Sequence, residues 1–124
     1  MVLRAVCAGA AVLLVLSSPA RADGDPRAGE AVFRKNCFVC HTTEDGKNKI
    51  GPSLHGIVGR HSASLPGFQY SEAMKSADKV WDAQSLDLYL TNPRGLVAGT
   101  KMVFVGLKNE QDRQDIIAYL GAQN

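Results

Sequence analysis

Two cysteines three positions apart with a histidine directly behind them, Cys37-Phe38-Val39-Cys40-His41, carry the strongest chemical signal in this chain. Thiols at that spacing can form thioether bonds to the two vinyl groups of one porphyrin. The adjacent imidazole then stands under the ring with a nitrogen aimed at iron. This is the attachment pattern of c-type haem. A bare C-x-x-C could instead be a redox disulfide or half of a zinc site. A zinc site would want a second Cys/His pair at ligand spacing, which His55 and His61 do not supply. A thioredoxin-like dithiol would want a strand-helix context, which is missing.

Iron held by His41 has a second face, and what fills it separates electron carriers from catalysts. A thioether closes the site, raises the potential and leaves little reorganisation on electron transfer. An exchangeable position would bind oxygen, peroxide or small gases, and catalysis there would need a distal acid/base pair. The candidates are Met74, Met102, His55 and His61. Met74 follows Ser71 in a short helical stretch, where methionine commonly fills a core. Both histidines lie in a glycine-rich loop. Met102 follows Ala98-Gly99-Thr100-Lys101, an irregular segment able to lay backbone and sulfur against a flat ring, and it leads Met74 on these grounds.

The first 22 residues read as a cleavable secretory signal. Arg4 forms a short positive region, Val6 to Leu16 is apolar, and Ala20-Arg21-Ala22 resembles a cleavage site. The apolar run is shorter than the roughly 20 residues that span a bilayer, which disfavours an uncleaved anchor. Export implies the periplasm, and the mature chain, residues 23–124, forms one domain. Cys7 leaves with the signal, so only the two motif cysteines remain and no structural disulfide is possible. Cleavage also removes Arg4 and Arg21 but no acid. The 14 basic side chains fall to 12, matching the 12 acids, so the mature net charge is formally zero. No basic stripe interleaved with aromatics exists, so no nucleic-acid partner is expected.

The elements that must hold the motif are helices. Asp25-Pro26 reads as a cap and first turn, opening a helix to about Asn36 with Gly29, Val32 and Phe33 on one face. Residues 42–70 carry Gly46, Gly51-Pro52, Gly56, Gly59 and Pro66-Gly67, a density that breaks regular structure. So long a loop makes sense when it wraps a cofactor instead of a protein core. Ser71 caps a short helix through Ala77. Asp82 caps another that buries Leu86, Tyr89 and Leu90 and ends before Pro93. Asn109 caps the last, where Ile116, Ile117 and Leu120 are spaced for one face and Gly121 stops it. No stretch alternates over five residues, so the domain is expected to be all-α with long loops. Without a large apolar disc at its centre, such a chain is expected to be mostly unfolded.

Taken in order, the haem motif, "GPSLHGIVGR" (51–60), "PGFQYSEA" (66–73), Trp81, "NPRGLVAGTKMVF" (92–104) and "DIIAYL" (115–120) resemble class I cytochrome c. The mitochondrial type and its bacterial periplasmic relatives match best, over essentially all of the chain from Gly24 onward. The resemblance implies a class I cytochrome c fold of three to five helices with long loops around one haem c, attached through Cys37 and Cys40. It makes His41 and Met102 the axial ligands. Pro52 becomes the carbonyl acceptor of the outer His41 nitrogen, which orients the imidazole and raises its basicity. Tyr70 and Trp81 become donors to a buried haem propionate and Arg60 the cation that offsets it. Tyr89 and Thr100 pack around the methionine sulfur and inner propionate, and Gly29, Phe33 and Tyr119 form the crossing of the first and last helices. Three positions depart from the mitochondrial pattern: Met74 replaces an asparagine, Ala98 a proline, and Asn36 a docking lysine.

The function implied is that of a monomeric one-electron carrier, not an enzyme. Its implied partners are membrane or periplasmic redox proteins: a cytochrome bc complex, a terminal oxidase, a reaction centre or a dehydrogenase. Contact is expected to be transient and electrostatic, through Lys47, Lys49, Arg94, Lys101 and Lys108 around the haem edge, with Asp78, Asp82, Asp112 and Asp115 mostly on other faces. The rival readings are an open-site peroxidase or gas sensor, and an electron-transfer subunit dedicated to one dehydrogenase.

Overall fold

Each helix of the molecule starts where a short polar side chain reaches forward to an otherwise unpaired backbone N–H. The computed structural model describes residues 24–124; the expected signal, residues 1–22 with Cys7, lies outside them. Helix α1 spans Pro26–Asn36, and the Asp25 carboxylate accepts from Arg27 N at 2.9 Å. Helix α2, Glu72–Ser76, is capped by Ser71 through Met74 N at 3.0 Å. Helix α3, Ala83–Thr91, is capped by Asp82 through Ser85 N at 2.7 Å. Helix α4, Pro93–Leu96, follows at once, with the Asn92 side chain accepting from Gly95 N. Helix α5, Glu110–Gly121, starts at Asn109, and Glu110 and Asp112 sit in its positive first turn.

Four of these helices match the sequence expectation, and α4 is additional. Pro93 does end α3, but proline at a first helical position also suits a new helix, and Asn92 supplies the cap. No strand is named among the described residues. An isolated antiparallel bridge joins His61 to Val80, and Gly59 N–Trp81 O and Trp81 N–Arg60 O bonds, both 2.9 Å, continue it. These bonds fold the long loop back onto the start of α3.

The first and last helices cross and hold each other. A β-carbon on Gly29 would fall 2.7 Å from the Tyr119 β-carbon and closer still to the Asp115 carbonyl. Phe33 stacks on Tyr119 with ring centroids 5.5 Å apart. Asp115 corrects an expectation, since it is a buried residue of this crossing and not a surface acid. Its carboxylate accepts from Asp25 N at 2.7 Å and from Gln111 Nε2 at 2.9 Å, tying the start of α1 to α5. The core runs inward from this crossing through Ile116, Leu120, Leu86, Leu90 and Trp81. No helix among the described residues is long and apolar enough to cross a membrane.

Candidate haem site

One cleft collects the residues to which the family resemblance gave a haem role: Cys37, Cys40, His41, Pro52, Arg60, Tyr70, Trp81, Tyr89, Thr100 and Met102 all line it. The turn that follows α1 supplies the cysteines, and α3 supplies Leu86, Tyr89 and Leu90. Ile116 and Leu120 of α5 extend the apolar lining, and residues 100–104 form another part of the wall. The lining is mostly hydrocarbon with polar groups at a few points, as expected of a site for a large apolar cofactor.

His41 is held by a neighbouring residue of the cleft wall. Its Nδ1 lies 2.8 Å from the Pro52 carbonyl oxygen. A carbonyl can only accept, so Nδ1 carries the proton and Nε2 keeps the lone pair that a metal requires. Burial holds the imidazole below its ordinary pKa. The Pro52 bond opposes that, and the charges of Lys49 and Arg60 add to it. The net effect favours the neutral ring, which is the ligating form. Gly51, read in the sequence only as loop punctuation, is the residue that gives the ring its room. A side chain there would run into His41.

The two cysteines are free and partly buried. Burial, with a smaller contribution from Cys40, pushes the Cys37 thiol up to about 11. A dithiol oxidoreductase needs the opposite shift, toward thiolate. The burial of Cys37 therefore weighs against the redox-disulfide alternative.

Of the candidate sixth ligands, Met102, Met74 and His61 line the cleft, while His55 does not and instead faces the Thr43 carbonyl through Nδ1 at 3.2 Å. The Met102 loop is anchored from within. Met102 N donates to Thr100 Oγ1 at 3.4 Å, and that hydroxyl pairs with Tyr89 OH at 2.9 Å. Burial raises the Tyr89 pKa, with the Thr100 bond opposing it, so the phenol stays protonated at neutral pH.

A polar corner lies in the same cleft. The Arg60 guanidinium donates to the Ser53 and His55 carbonyls at 2.8 and 3.1 Å, and no carboxylate pairs with it among the described residues. Burial lowers its pKa. Tyr70 OH accepts from Leu65 N at 3.3 Å, which leaves its own proton available. Among the described residues nothing accepts the indole N–H of the buried Trp81. Three donors facing one apolar cleft, with no acid to meet them, suit a ligand that brings its own carboxylates. The residues therefore fit a haem, whose propionates are such groups.

Residues 26–123 match the cytochrome c family. The chain belongs to the cytochrome c family. Cytochrome c2 of Rhodomicrobium vannielii is 52% identical over 112 residues, covering 90% of this chain and 89% of that protein. The cytochrome c-type protein cyt cy of Rhodobacter capsulatus is 50% identical over 102 residues, 82% of this chain but 51% of the relative. Cytochrome c of Kluyveromyces lactis is 44% identical over 98 residues, 78% of this chain and 89% of the relative. This cytochrome c is accordingly a haem-containing electron carrier and not an enzyme, and its cofactor is covalently attached haem c. The all-helical architecture is that of class I cytochrome c.

Proposed function

We propose that this cytochrome c binds one haem per chain through Cys37 and Cys40, with His41 and Met102 as axial ligands. It carries single electrons in the periplasm, after removal of residues 1–22. Its donors and acceptors are membrane or periplasmic redox proteins: a cytochrome bc complex and a terminal oxidase first, with a reaction centre or a dehydrogenase as further partners. The bound haem supplies the Fe(III)/Fe(II) couple, and a thioether ligand favours Fe(II).

The protein's part is positioning and exclusion. The Pro52 carbonyl fixes the tautomer of His41. Thr100 and Tyr89 hold the backbone of Met102. Arg60, Tyr70 and Trp81 offer the donors that keep a buried carboxylate ionised. Leu86, Leu90, Ile116 and Leu120 keep water from the cleft, so the surroundings move little when the charge on iron changes. The observation that carries the reading is the meeting in one cleft of His41, Met102 and the donors Arg60, Tyr70 and Trp81, none of them facing a carboxylate among the described residues.

The test uses the purified holo-protein. The oxidised form should show a methionine-to-iron charge-transfer band, and the reduced form should pass electrons from a bc complex to a terminal oxidase. An open-site spectrum that binds carbon monoxide readily, or failure with both complexes, would overturn the proposal.

A further inference from the structure

Met102 stands in a segment that is fastened at both ends and unpaired between them. On its near side Met102 N donates to the Thr100 hydroxyl, and Lys101 donates to the Gln69 carbonyl at 2.6 Å. From Val103 to Gly106 no residue makes a hydrogen bond among the described residues. The next fixed point is Leu107, whose side chain is buried in the core.

That far anchor closes the C-terminal end of α3. A helix leaves its last carbonyls without donors of its own. Here the Leu90 carbonyl accepts from Leu107 N at 2.7 Å, and the Thr91 carbonyl accepts from the Lys108 ammonium at 3.2 Å. The chain comes this close because residue 106 is glycine. Its φ is +98°, and a β-carbon there would run into the Thr91 carbonyl.

Arg113 of α5 locks the same junction from the other side. Its Nη1 donates to the Leu107 and Lys108 carbonyls at 2.9 and 3.1 Å, and its Nε donates to the Asp87 carboxylate of α3 at 2.7 Å. The Arg113 side chain is only 11% exposed, so solvent screens these contacts little. A planar guanidinium can meet two carbonyls and a carboxylate at once, whereas an ammonium on a flexible stem holds no such fixed fork. Arg113, Asp87, Leu107 and Lys108 all lie outside the lining of the haem cleft.

We propose that Arg113 is a positioning residue for Met102. It clamps Leu107 and Lys108 onto α3, so the span from Thr100 to Leu107 has two fixed ends and the thioether is kept from swinging away from the iron. The inference rests on the Met102 ligation given under the proposed function. Loosening the clamp frees one end of the span and raises the fraction of molecules whose sixth position is open. A foreign ligand reads that fraction, because its apparent dissociation constant is the intrinsic one divided by the fraction competent to bind.

The experiment titrates the oxidised holo-protein with imidazole at pH 7, following the methionine-to-iron charge-transfer band. Arg113→Ala should bind imidazole about tenfold more tightly than the parent, the change expected for losing a hydrogen-bonded charge. Amide hydrogen exchange at Leu107 should quicken alongside. Arg113→Lys keeps the charge without the fork and should also bind more tightly than the parent; it carries the test alone if Arg113→Ala does not fold. Asp25→Ala removes the cap of α1, so it should lower the melting temperature and leave imidazole affinity at the parental value. Parental affinity in the Arg113 variants, or an equal gain in Asp25→Ala, would overturn the clamp while leaving Met102 ligation in place. A parent without the band, or Met102→Ala with the band and the parental affinity, would overturn the ligation and the clamp together.

Discussion

Gly51 lies directly against the His41 ring: a β-carbon there would stand 2.7 Å from Nδ1 and 2.8 Å from Nε2. The neighbouring atoms belong to a ring already fixed by the Pro52 carbonyl, so it cannot yield without losing that bond. Gly51→Ala should displace the imidazole and weaken its hold on iron. We expect about 1–3 kcal/mol of lost stability from overpacking, read by thermal melting, together with a lowered midpoint potential. A variant with parental melting and potential would show that the loop simply moves aside.

Met102 and Met74 share the cleft, so the lining alone does not rank them as ligands. Met102→Ala should abolish the charge-transfer band, admit imidazole or carbon monoxide and lower the potential. Met74→Leu should keep the band. Loss of the band with Met74→Leu and its survival in Met102→Ala would exchange the two assignments.

Ala98 is exposed, and its N–H makes no hydrogen bond among the described residues, so proline would remove nothing there. Val97 before it has φ −123° and ψ 86°, outside the helical region that a following proline forbids. Ala98→Pro should restrict the released loop and stabilise the ligated form by about 0.4–1 kcal/mol. Its signature is a higher midpoint for the alkaline loss of the charge-transfer band, in which Lys101 or another lysine replaces Met102. An unchanged midpoint would remove the argument, and a lower one would reverse it.

The Asp82 carboxylate is held below its ordinary pKa, chiefly by the backbone N–H of Ser85. A depressed folded-state pKa means that the ionised cap stabilises the fold above the ordinary aspartate range. That contribution is lost as pH falls through the depressed value. Asp82→Ala should therefore melt at a lower temperature than the parent at pH 7, and the gap should close in acid. A gap independent of pH would exclude a charged cap.

Helix starts were readable because each depends on one local side chain. Asp25, Ser71, Asp82 and Asn109 all cap as their types suggest. What lay beyond reading were relationships across the chain. Asp115 looks like a solvated acid in its own helix and is buried because Asp25 N, ninety positions away, needs an acceptor. The His61–Val80 bridge joins two stretches with no alternating pattern, so periodicity could not reveal it. At the site, residue types indicated haem chemistry and the resemblance supplied the list of lining positions. The steric role of Gly51 was hidden because a missing side chain has no signature except its neighbours. The engagement of Lys49, Lys101 and Lys108 with the Phe38, Gln69 and Thr91 carbonyls was hidden for a related reason, since those partners belong to the backbone and not to any residue type.

The crossing of α1 and α5 has a consequence for the order of events in biosynthesis. Gly29 packs on the backbone of Asp115, and Phe33 packs on Tyr119. A chain made from its N-terminus therefore completes the residue 37–41 motif long before the helix that must close over α1 exists. During that interval the cleft that Cys37 and Cys40 line lacks the walls that Ile116 and Leu120 provide. The fold postpones its own closure until the last dozen or so residues arrive, so the cleft is completed only after every other part of its lining has been made.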